Sequence, residues 1–532
     1  MSEDKQQYTG GMVLLALLIG ALMGMLLAPK SSSHSYTKSD TSLFNQLKEV
    51  TRLIEEEYVD PVDQDSISEL ALRSLLSSLD PHSQYLGAEA FAQQTEEMRG
   101  AFEGVGIILR YWNDTVFVMN VIANGPASHT DLRPGDRILT VDTTKVSGVG
   151  MQSNDVIKHI RGPRRSTVDL GVERFGSKNI LHIVIPRDVI ATPSIICSNM
   201  LDKNTGYIRL IRFSESSHEE LCNALRQLQQ QGMKQLILDL RENGGGLLAA
   251  AIAIADEFLP KNDLIVYTQG LHQQRQNVYA SNGGLFENGR LAILIDEFSA
   301  SASEVLSGAI QDNDRGIIMG RRSFGKGLVQ RQFNLSNNSA VLLTIARYYT
   351  PSGRCIQRPY DKGSDEYYTE FLRELLISRQ QDTMLTQITD STQFHTKRGK
   401  VVYGGGGIYP DKILHVPFDS NLVYCNELMY SRALEKTAMD YVAREYSLLH
   451  KQYPSEQQFI TLFKVSSPLH EQTLLNGIKL DVPRNHDGEH YCAHRIDVLI
   501  KAYIAEMLFG QDSYYKVCAE LDNELQEARK LF

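Results

Sequence analysis

The sequence predicts a multidomain α/β protein. Two stretches carry that prediction, each an apolar strand running into a small-residue loop and then a helix. The first is 236–240, the loop Asn243-Gly244-Gly245-Gly246 and the Ala-rich run 247–259; the second is 291–295, the serine loop 299–303 and the run 302–311. The third observation is what surrounds them: helical spacing towards both ends of the chain, and a glycine-punctuated, strand-like region at 100–188.

In chain order, a short polar segment (1–10) precedes an uncharged apolar run of 18 residues, 11–28. That length reaches the lower limit for spanning a bilayer. A cleaved signal peptide is the alternative, but Ala28-Pro29 makes a poor cleavage site, and no cysteine stands near the end of the run to take a lipid. An uncleaved single-pass anchor is therefore expected, followed by a polar tether at 29–40. Basic residues flanking the run do not set its orientation. Residues 41–99 repeat Leu43, Phe44, Leu47, Val50, Leu53 and Ile54, then Ile67, Leu70, Ala71, Leu75 and Leu79, at helical spacing until Asp80-Pro81 stops the pattern. Residues 189–360 hold the two strand–loop–helix units. Residues 361–532 read as mostly helical, with a glycine run at 404–407 that reads as a flexible turn.

Composition excludes several functions. A net charge of −10 argues against a nucleic-acid partner. Six cysteines without C-x-x-C spacing exclude a zinc ribbon or disulfide framework, although Cys197 and Cys222 could pair in an exported chain. Gly320 to Lys326 imitates a P-loop, but Gly327 stands where a magnesium-binding Ser or Thr belongs, and the next residues alternate like a strand. No metal and no cofactor is expected.

The chemistry concentrates between Ser299 and Gln330. Ser299-Ala300-Ser301-Ala302-Ser303-Glu304 presents hydroxyls on small residues, and Ser323-Phe324-Gly325-Lys326-Gly327-Leu328-Val329-Gln330 presents one lysine among apolar neighbours, with no acid beside it in sequence. A serine needs a base to become a nucleophile, and a lysine serves only when burial lowers its pKa. Gln330 can hold such an amine without stabilising its charge. On a flat strand Lys326 and Gln330 would lie roughly 13 Å apart, so a bend is expected at Gly325 or Gly327. The same serines also fit a simple N-cap for the helix that follows.

These two motifs in this order resemble the carboxyl-terminal processing peptidases, or tail-specific proteases. The resemblance implies Ser301 as nucleophile, Lys326 as base, Gln330 as its support and Ala302 as one oxyanion amide. The second amide comes from the loop matching N-P-G-G, Gly245 or Gly246, with Gly244 where relatives have proline. Asp80-Pro81-His82-Ser83-Gln84-Tyr85-Leu86 matches a further family segment, in which His82 is structural. The ordered series Phe102-Glu103-Gly104-Val105-Gly106-Ile107, Gly125-Pro126-Ala127 and Leu132-Arg133-Pro134-Gly135-Asp136 resembles a PDZ domain. Consecutive amides at Gly104, Val105, Gly106 and Ile107 can cradle a terminal carboxylate while the peptide adds as a strand. Arg161 is expected to meet the substrate end or the protease body.

The resemblance implies a crotonase/Clp-like α/β peptidase core with an inserted PDZ domain, N-terminal helices and a mostly helical C-terminal region. The implied activity is a serine endopeptidase acting on protein tails with free C-termini, anchored in the bacterial inner membrane with its body in the periplasm or otherwise outside the cytoplasm. The N-terminal helices can pair as a homodimer, as in some relatives. The rivals are a PDZ scaffold or chaperone with an inactive core and a crotonase-like acyl-transfer enzyme.

Overall fold

The computed structural model describes residues 40–281, 283–380, 392–414 and 419–532. The expected anchor at 11–28 lies outside the described residues, as does the tether except for its last residue. Among the described residues no helix is long and apolar enough to cross a membrane.

The chain divides into two compact units, residues 1–71 and 72–532. In the first, the apolar spacing forms the helix Asp40–Glu57, and Phe44, Leu47, Val50 and Leu53 remain exposed along it.

The second unit is built on a six-stranded sheet in the order Ile195–Met200, Thr205–Leu210, Gln235–Asp239, Arg290–Ile295, Ile317–Gly320, Lys412–Ile413. The first pair is antiparallel and the remaining pairs are parallel. Continuous apolar runs suit strands buried on both faces. Ile208, Leu238 and Ile293 pack on one side with Leu225, Ile254 and Leu306 of the helices Ser217–Gln230, Leu248–Asp256 and Ala302–Asp312. Tyr207, Ile237, Ala292, Leu294 and Met319 face the other way, under Leu525 and Ala528 of the final helix Asn523–Arg529. Because Gln235–Asp239, Arg290–Ile295 and Ile317–Gly320 run parallel, the glycine, serine and lysine loops all leave the same edge, where open α/β sheets place their ligands.

A second sheet orders Gln84–Leu86, Ala340–Tyr349, Leu264–Gly270 and Gln273–Tyr279, with Leu328–Asn334 also paired to Ala340–Tyr349. The PDZ strands Ile107–Trp112, Thr115–Val121, Arg137–Val141, Thr167–Glu173 and Leu181–Pro186 enclose Val118, Ile138, Leu170 and Ile185 beside the helix Ser153–Ile160. Its entry and exit, Ala101–Gly104 and Asp188–Ala191, pair antiparallel.

Beyond residue 420 the chain is helical, as expected. The helices Ala433–Gln452 and His486–Phe509 share a buried cluster that takes in Phe117 and Met119 of the PDZ strand Thr115–Val121, while Val116 and Val118 face the PDZ interior. That strand is covered on both sides, which accounts for its unbroken Val-Phe-Val-Met run.

Three expectations are corrected. The 404–407 run is not a flexible turn: Gly404, Gly406 and Gly407 are buried, Gly407 N–H donates to Ile356 O (2.9 Å), and Ile408 N–H donates to Ser323 Oγ (2.6 Å). These glycines let the backbone close on the lysine loop, since a Cβ on Gly407 would lie 2.3 Å from Ser323 O. Within 365–400 the helix Ser364–Gln380 gives way to a hairpin, Gln393–His395 with Val401–Tyr403, turned at Gly399 in a left-handed conformation. All six cysteines are free; Cys197 lies in the cluster under the final helix, whereas Cys222 hydrogen-bonds Glu257.

Gly135 (φ +89°) meets the helix Ala433–Gln452 so closely that an added Cβ would lie 2.6 Å from Ala443 Cβ. Gly150 (φ +70°) has no atom within 4 Å of that position. Gly135→Ala is therefore expected to cost about 2–4 kcal/mol, and Gly150→Ala about 1–2 kcal/mol from backbone strain alone. Thermal unfolding of the two variants side by side checks this; equal shifts would mean that the PDZ–helix contact has slack.

Candidate active site

The helix Ala302–Asp312 begins immediately after Ser301, which adopts φ 55° and ψ −111°. A non-glycine residue held there stores about 1–3 kcal/mol of strain. The three serines of the loop separate by environment. Ser299 Oγ donates to Leu240 O (2.8 Å) and Ser303 Oγ to Asn243 O (2.8 Å), and both residues are fully buried. Ser301 alone of the three is partly exposed.

Lys326 lies on the neighbouring loop. Gly325 (φ +93°) supplies the expected bend, and a bulge between Val329 and Gln330 interrupts the following strand. The two distortions bring Lys326 Nζ to Gln330 Oε1 at 2.9 Å. Gln330 Nε2 in turn donates to the backbone carbonyl of His82. Burial lowers the Lys326 pKa below that of an ordinary lysine, outweighing the opposing charges of Glu304 and Asp80. The His82 imidazole meets Tyr367 Oη at 3.2 Å; burial first, and Lys326 second, hold its pKa down to about 3. Such an imidazole is a poor base, and the residue's link to the site is its carbonyl.

Glu304 ties the serine and lysine loops together. Its buried carboxylate accepts from Ser301 N–H (2.7 Å), Lys326 N–H (2.9 Å), Gly325 N–H (2.7 Å) and Ser323 Oγ (2.6 Å). Burial pushes its pKa up against those four donors. From the other side, Tyr348 Oη donates to Ser301 O (3.1 Å) and to Lys326 O. Among the described residues Nζ is hydrogen-bonded to Gln330 and not to Ser301 Oγ.

The glycine loop presses against the serine turn. A Cβ on Gly245 (φ +102°) would lie 2.7 Å from Ala300 O, 2.9 Å from Ser301 Cβ and 3.0 Å from Ala302 N. Gly245 N–H donates to Asn243 Oδ1 (2.9 Å), which removes it from the free donors in this conformation. Among the described residues the amides of Ala302 and Gly246 have no such partner. Gly244 is exposed, and an added Cβ would meet nothing within 4 Å. A side chain at this position would therefore meet no steric obstacle.

Gly104, Val105, Gly106, Ile107 and Arg161 line one PDZ groove of about 160 Å³, together with Phe102, Leu109 and Ile157. Arg161 faces the body: its guanidinium bonds Glu96 (2.7 Å) and lies 4.5 Å from the Phe102 ring centre. Elsewhere, His218, Cys222 and Glu257 bring three potential metal-ligand atoms together, and these already hydrogen-bond one another.

The S-x-x-E spacing of Ser301 and Glu304 is a capping signal, but it does not tell what the carboxylate joins. Sequence reasoning missed Tyr348 and the His82 carbonyl, neither of which has a local signature.

A peptide-groove domain on an α/β core with a strained serine turn is the architecture of a PDZ-bearing serine peptidase. Residues 204–362 match the model of peptidase family S41, 103–184 a PDZ domain and 424–510 a family of unknown function. The carboxy-terminal-processing protease of Bartonella bacilliformis is 36% identical over 329 residues, covering 60% of this chain and 75% of that protein. The carboxy-terminal processing protease CtpA of Bacillus subtilis is 29% identical, covering 65% and 74%. The solved photosystem II D1 C-terminal processing protease aligns with 71% of this chain and 88% of its own at 26% identity and a TM-score of 0.34. The chain belongs to the carboxyl-terminal processing proteases of peptidase family S41 and is a serine-type endopeptidase.

Glu304→Gln would turn an amide NH₂ towards backbone N–H donors. The expected cost is about 2–4 kcal/mol, seen as a lower unfolding temperature; an unchanged temperature would mean that the four bonds carry no net weight.

Proposed function

We propose that this protein cleaves protein substrates near their carboxyl termini with Ser301 as nucleophile and Lys326 as general base. Ser301 Oγ attacks the scissile carbonyl carbon as its proton passes to neutral Lys326 Nζ. The oxyanion is held by Ala302 N–H and the Gly245–Gly246 loop, with Gly246 the donor that this conformation leaves available. The Lys326 ammonium then protonates the leaving amine, and water releases the acyl chain by the same route in reverse. No step calls on a metal or nucleotide.

The observation that carries this reading is the half-buried Lys326 amine held by an untitratable partner, its backbone bound to that of Ser301 through a shared carboxylate. The Nζ–Gln330 bond describes a resting arrangement, and turning Nζ towards Oγ completes the pair.

The PDZ groove captures the free C-terminal tail, and its occupancy shifts the resting equilibrium. A chain of contacts supports that coupling. Arg161 bonds Glu96 on the helix Ala88–Arg99; Met98 O accepts from Glu215 N–H (2.9 Å); and Phe213 N–H donates to Gly245 O (2.9 Å). The apolar run 11–28 supports an anchor, the family resemblance supports a body outside the cytoplasm, and the exposed row Phe44, Leu47, Val50 and Leu53 supports pairing with a second copy.

Mass spectrometry of products from a defined substrate with a disordered, apolar tail tests the reading. Ser301→Ala is expected to abolish cleavage, and Lys326→Ala to lower kcat/KM by about 10²–10⁴-fold; unchanged cleavage in either variant sinks the dyad. Activity requires the uncharged amine, so kcat/KM should rise with pH through a lysine pKa below the usual 10.5. Gln330→Glu adds an anion beside Nζ, favours the ammonium and should move that rising limb about 1–2 pH units to the alkaline side. A limb that stays in place would separate Lys326 from the titration.

A further inference from the structure

The roots of the three active-site loops share one ionic cluster, and two of its acids come from the last turns of the chain. Arg241, at the root of the glycine loop, bonds Asp239 (2.6 Å), Asp522 (2.6 Å) and Glu524 (2.9 Å). Arg321, at the root of the lysine loop, bonds Glu297 (2.7 Å) and Glu524. Glu297 and Asp296 open the serine loop. Asp296 Oδ1 accepts from Glu242 N–H (3.0 Å) and Ser299 N–H (3.1 Å), which joins the serine loop to the glycine loop. Glu524 thus bridges the glycine and lysine loops, and Asp296 bridges the glycine and serine loops.

The cluster is largely out of solvent, with Asp522 its most exposed member at 24%. Asp239, Arg241, Asp296 and Glu297 are buried, and the Glu524 side chain is 11% exposed. A guanidinium at such depth needs its carboxylates, and removing one partner leaves a charge that must move to find another. With Asp522 and Glu524 gone, Arg241 would keep Asp239, which it already shares with Arg209 (3.0 Å). Arg321 would keep Glu297. Arg321 would also stay 4.0 Å from Asp296, leaving that longer contact as the remaining route from the lysine loop to Glu242 N–H of the glycine loop.

Both acids lie past residue 510, beyond the regions matched to known families. The same part of the chain is fixed to the sheet independently of these charges. Leu525 and Ala528 pack under Ile237 and Met319, and Arg290 donates to the carbonyls of Leu531 (2.8 Å) and Phe532 (3.1 Å). The final helix therefore has its own anchorage, and its two acids are free to act on the loops.

We propose that Asp522 and Glu524 are positioning residues for the peptidase reaction, setting the spacing of the glycine, serine and lysine loops from beneath. The proposal rests on the reading of Ser301 and Lys326 given above. It assigns the end of the C-terminal region a part in catalysis without contact with the substrate.

The experiment uses the full chain and a tailed peptide substrate, with competent sites counted by a covalent serine-directed inhibitor. Asp522→Asn keeps a side-chain oxygen for the helix cap that now receives Leu525 N–H (3.0 Å) while removing the charge. Glu524→Gln is nearly isosteric. The double variant is expected to lose about tenfold in kcat per competent site with little change in KM, the signature of misplaced reacting groups. Glu524→Asp, which keeps the charge, should recover most of the loss. Glu527→Gln, an exposed acid on the same helix, should behave as wild type. Wild-type kcat per competent site in the double variant would overturn the proposal. So would a loss confined to the number of competent sites, since that reports stability alone. If the double variant fails to fold, Asp522→Asn is read by the same criteria. Ser301→Ala is run in parallel: cleavage that survives it removes the dyad, whereas cleavage that depends on Ser301 but ignores both acids removes only this inference.

Discussion

Glu304 sets the terms for the rest of the site. A carboxylate with no access to water must fill its acceptor positions from the protein, and it does so with Ser301 N–H, Lys326 N–H, Gly325 N–H and Ser323 Oγ. Because one of its oxygens serves both Ser301 and Lys326, the two loops cannot drift apart without exposing a buried charge. Tyr348 repeats the link on the carbonyl side. The strained backbone at Ser301 persists because the surrounding bonds over-determine it.

The same arrangement creates an electrostatic tension. Glu304 and Asp80 both favour an ammonium at Lys326, and burial opposes it more strongly. The balance explains the identity of the neighbour at Gln330. A carboxylate there would add an anion at hydrogen-bonding distance and tip the balance, whereas an amide oxygen orients Nζ and leaves its charge unsupported. Gln330 is itself held by a backbone carbonyl, that of His82, which brings no titratable group.

What the sequence made legible follows the range of each interaction. Ser301, Lys326 and Gln330 stand within thirty residues of one another on two loops with local punctuation, and the bend at Gly325 follows from requiring that Lys326 reach Gln330. The two strand–loop–helix units were visible as apolar runs of the right length. The partners of Arg241 and Arg321 near the end of the chain, Asp522 and Glu524, are some 200 to 280 residues away in sequence, at the start of a helix whose acids look like any solvated face. The glycines at 404–407 read as a turn because composition does not distinguish a backbone that is free from one that must come close to another backbone. The run Val116-Phe117-Val118-Met119 did carry a signal that went unused, since an unbroken apolar strand in an antiparallel sheet implies cover on both faces.

That second cover constrains how the PDZ domain can act on the peptidase core. Phe117 and Met119 are buried against the C-terminal helices, Glu435 pairs with Arg110, and Asn120 Nδ2 donates to Glu506 O. Gly135 lies against Ala443 with no room for a methyl group. A large swing of the domain would expose this apolar surface and strand the buried Glu435, at a cost that binding a short peptide tail does not readily offset. The groove is lined by Arg161 and Phe102, where Arg161 lies over the Phe102 ring and meets the helix Ala88–Arg99 through one partly exposed ion pair with Glu96. A tail entering between Ile107 and Ile157 works against those weaker contacts. In the coupling proposed above, a local change at Arg161, passed along Met98 and Phe213 to the glycine loop, therefore costs less than movement of the whole domain.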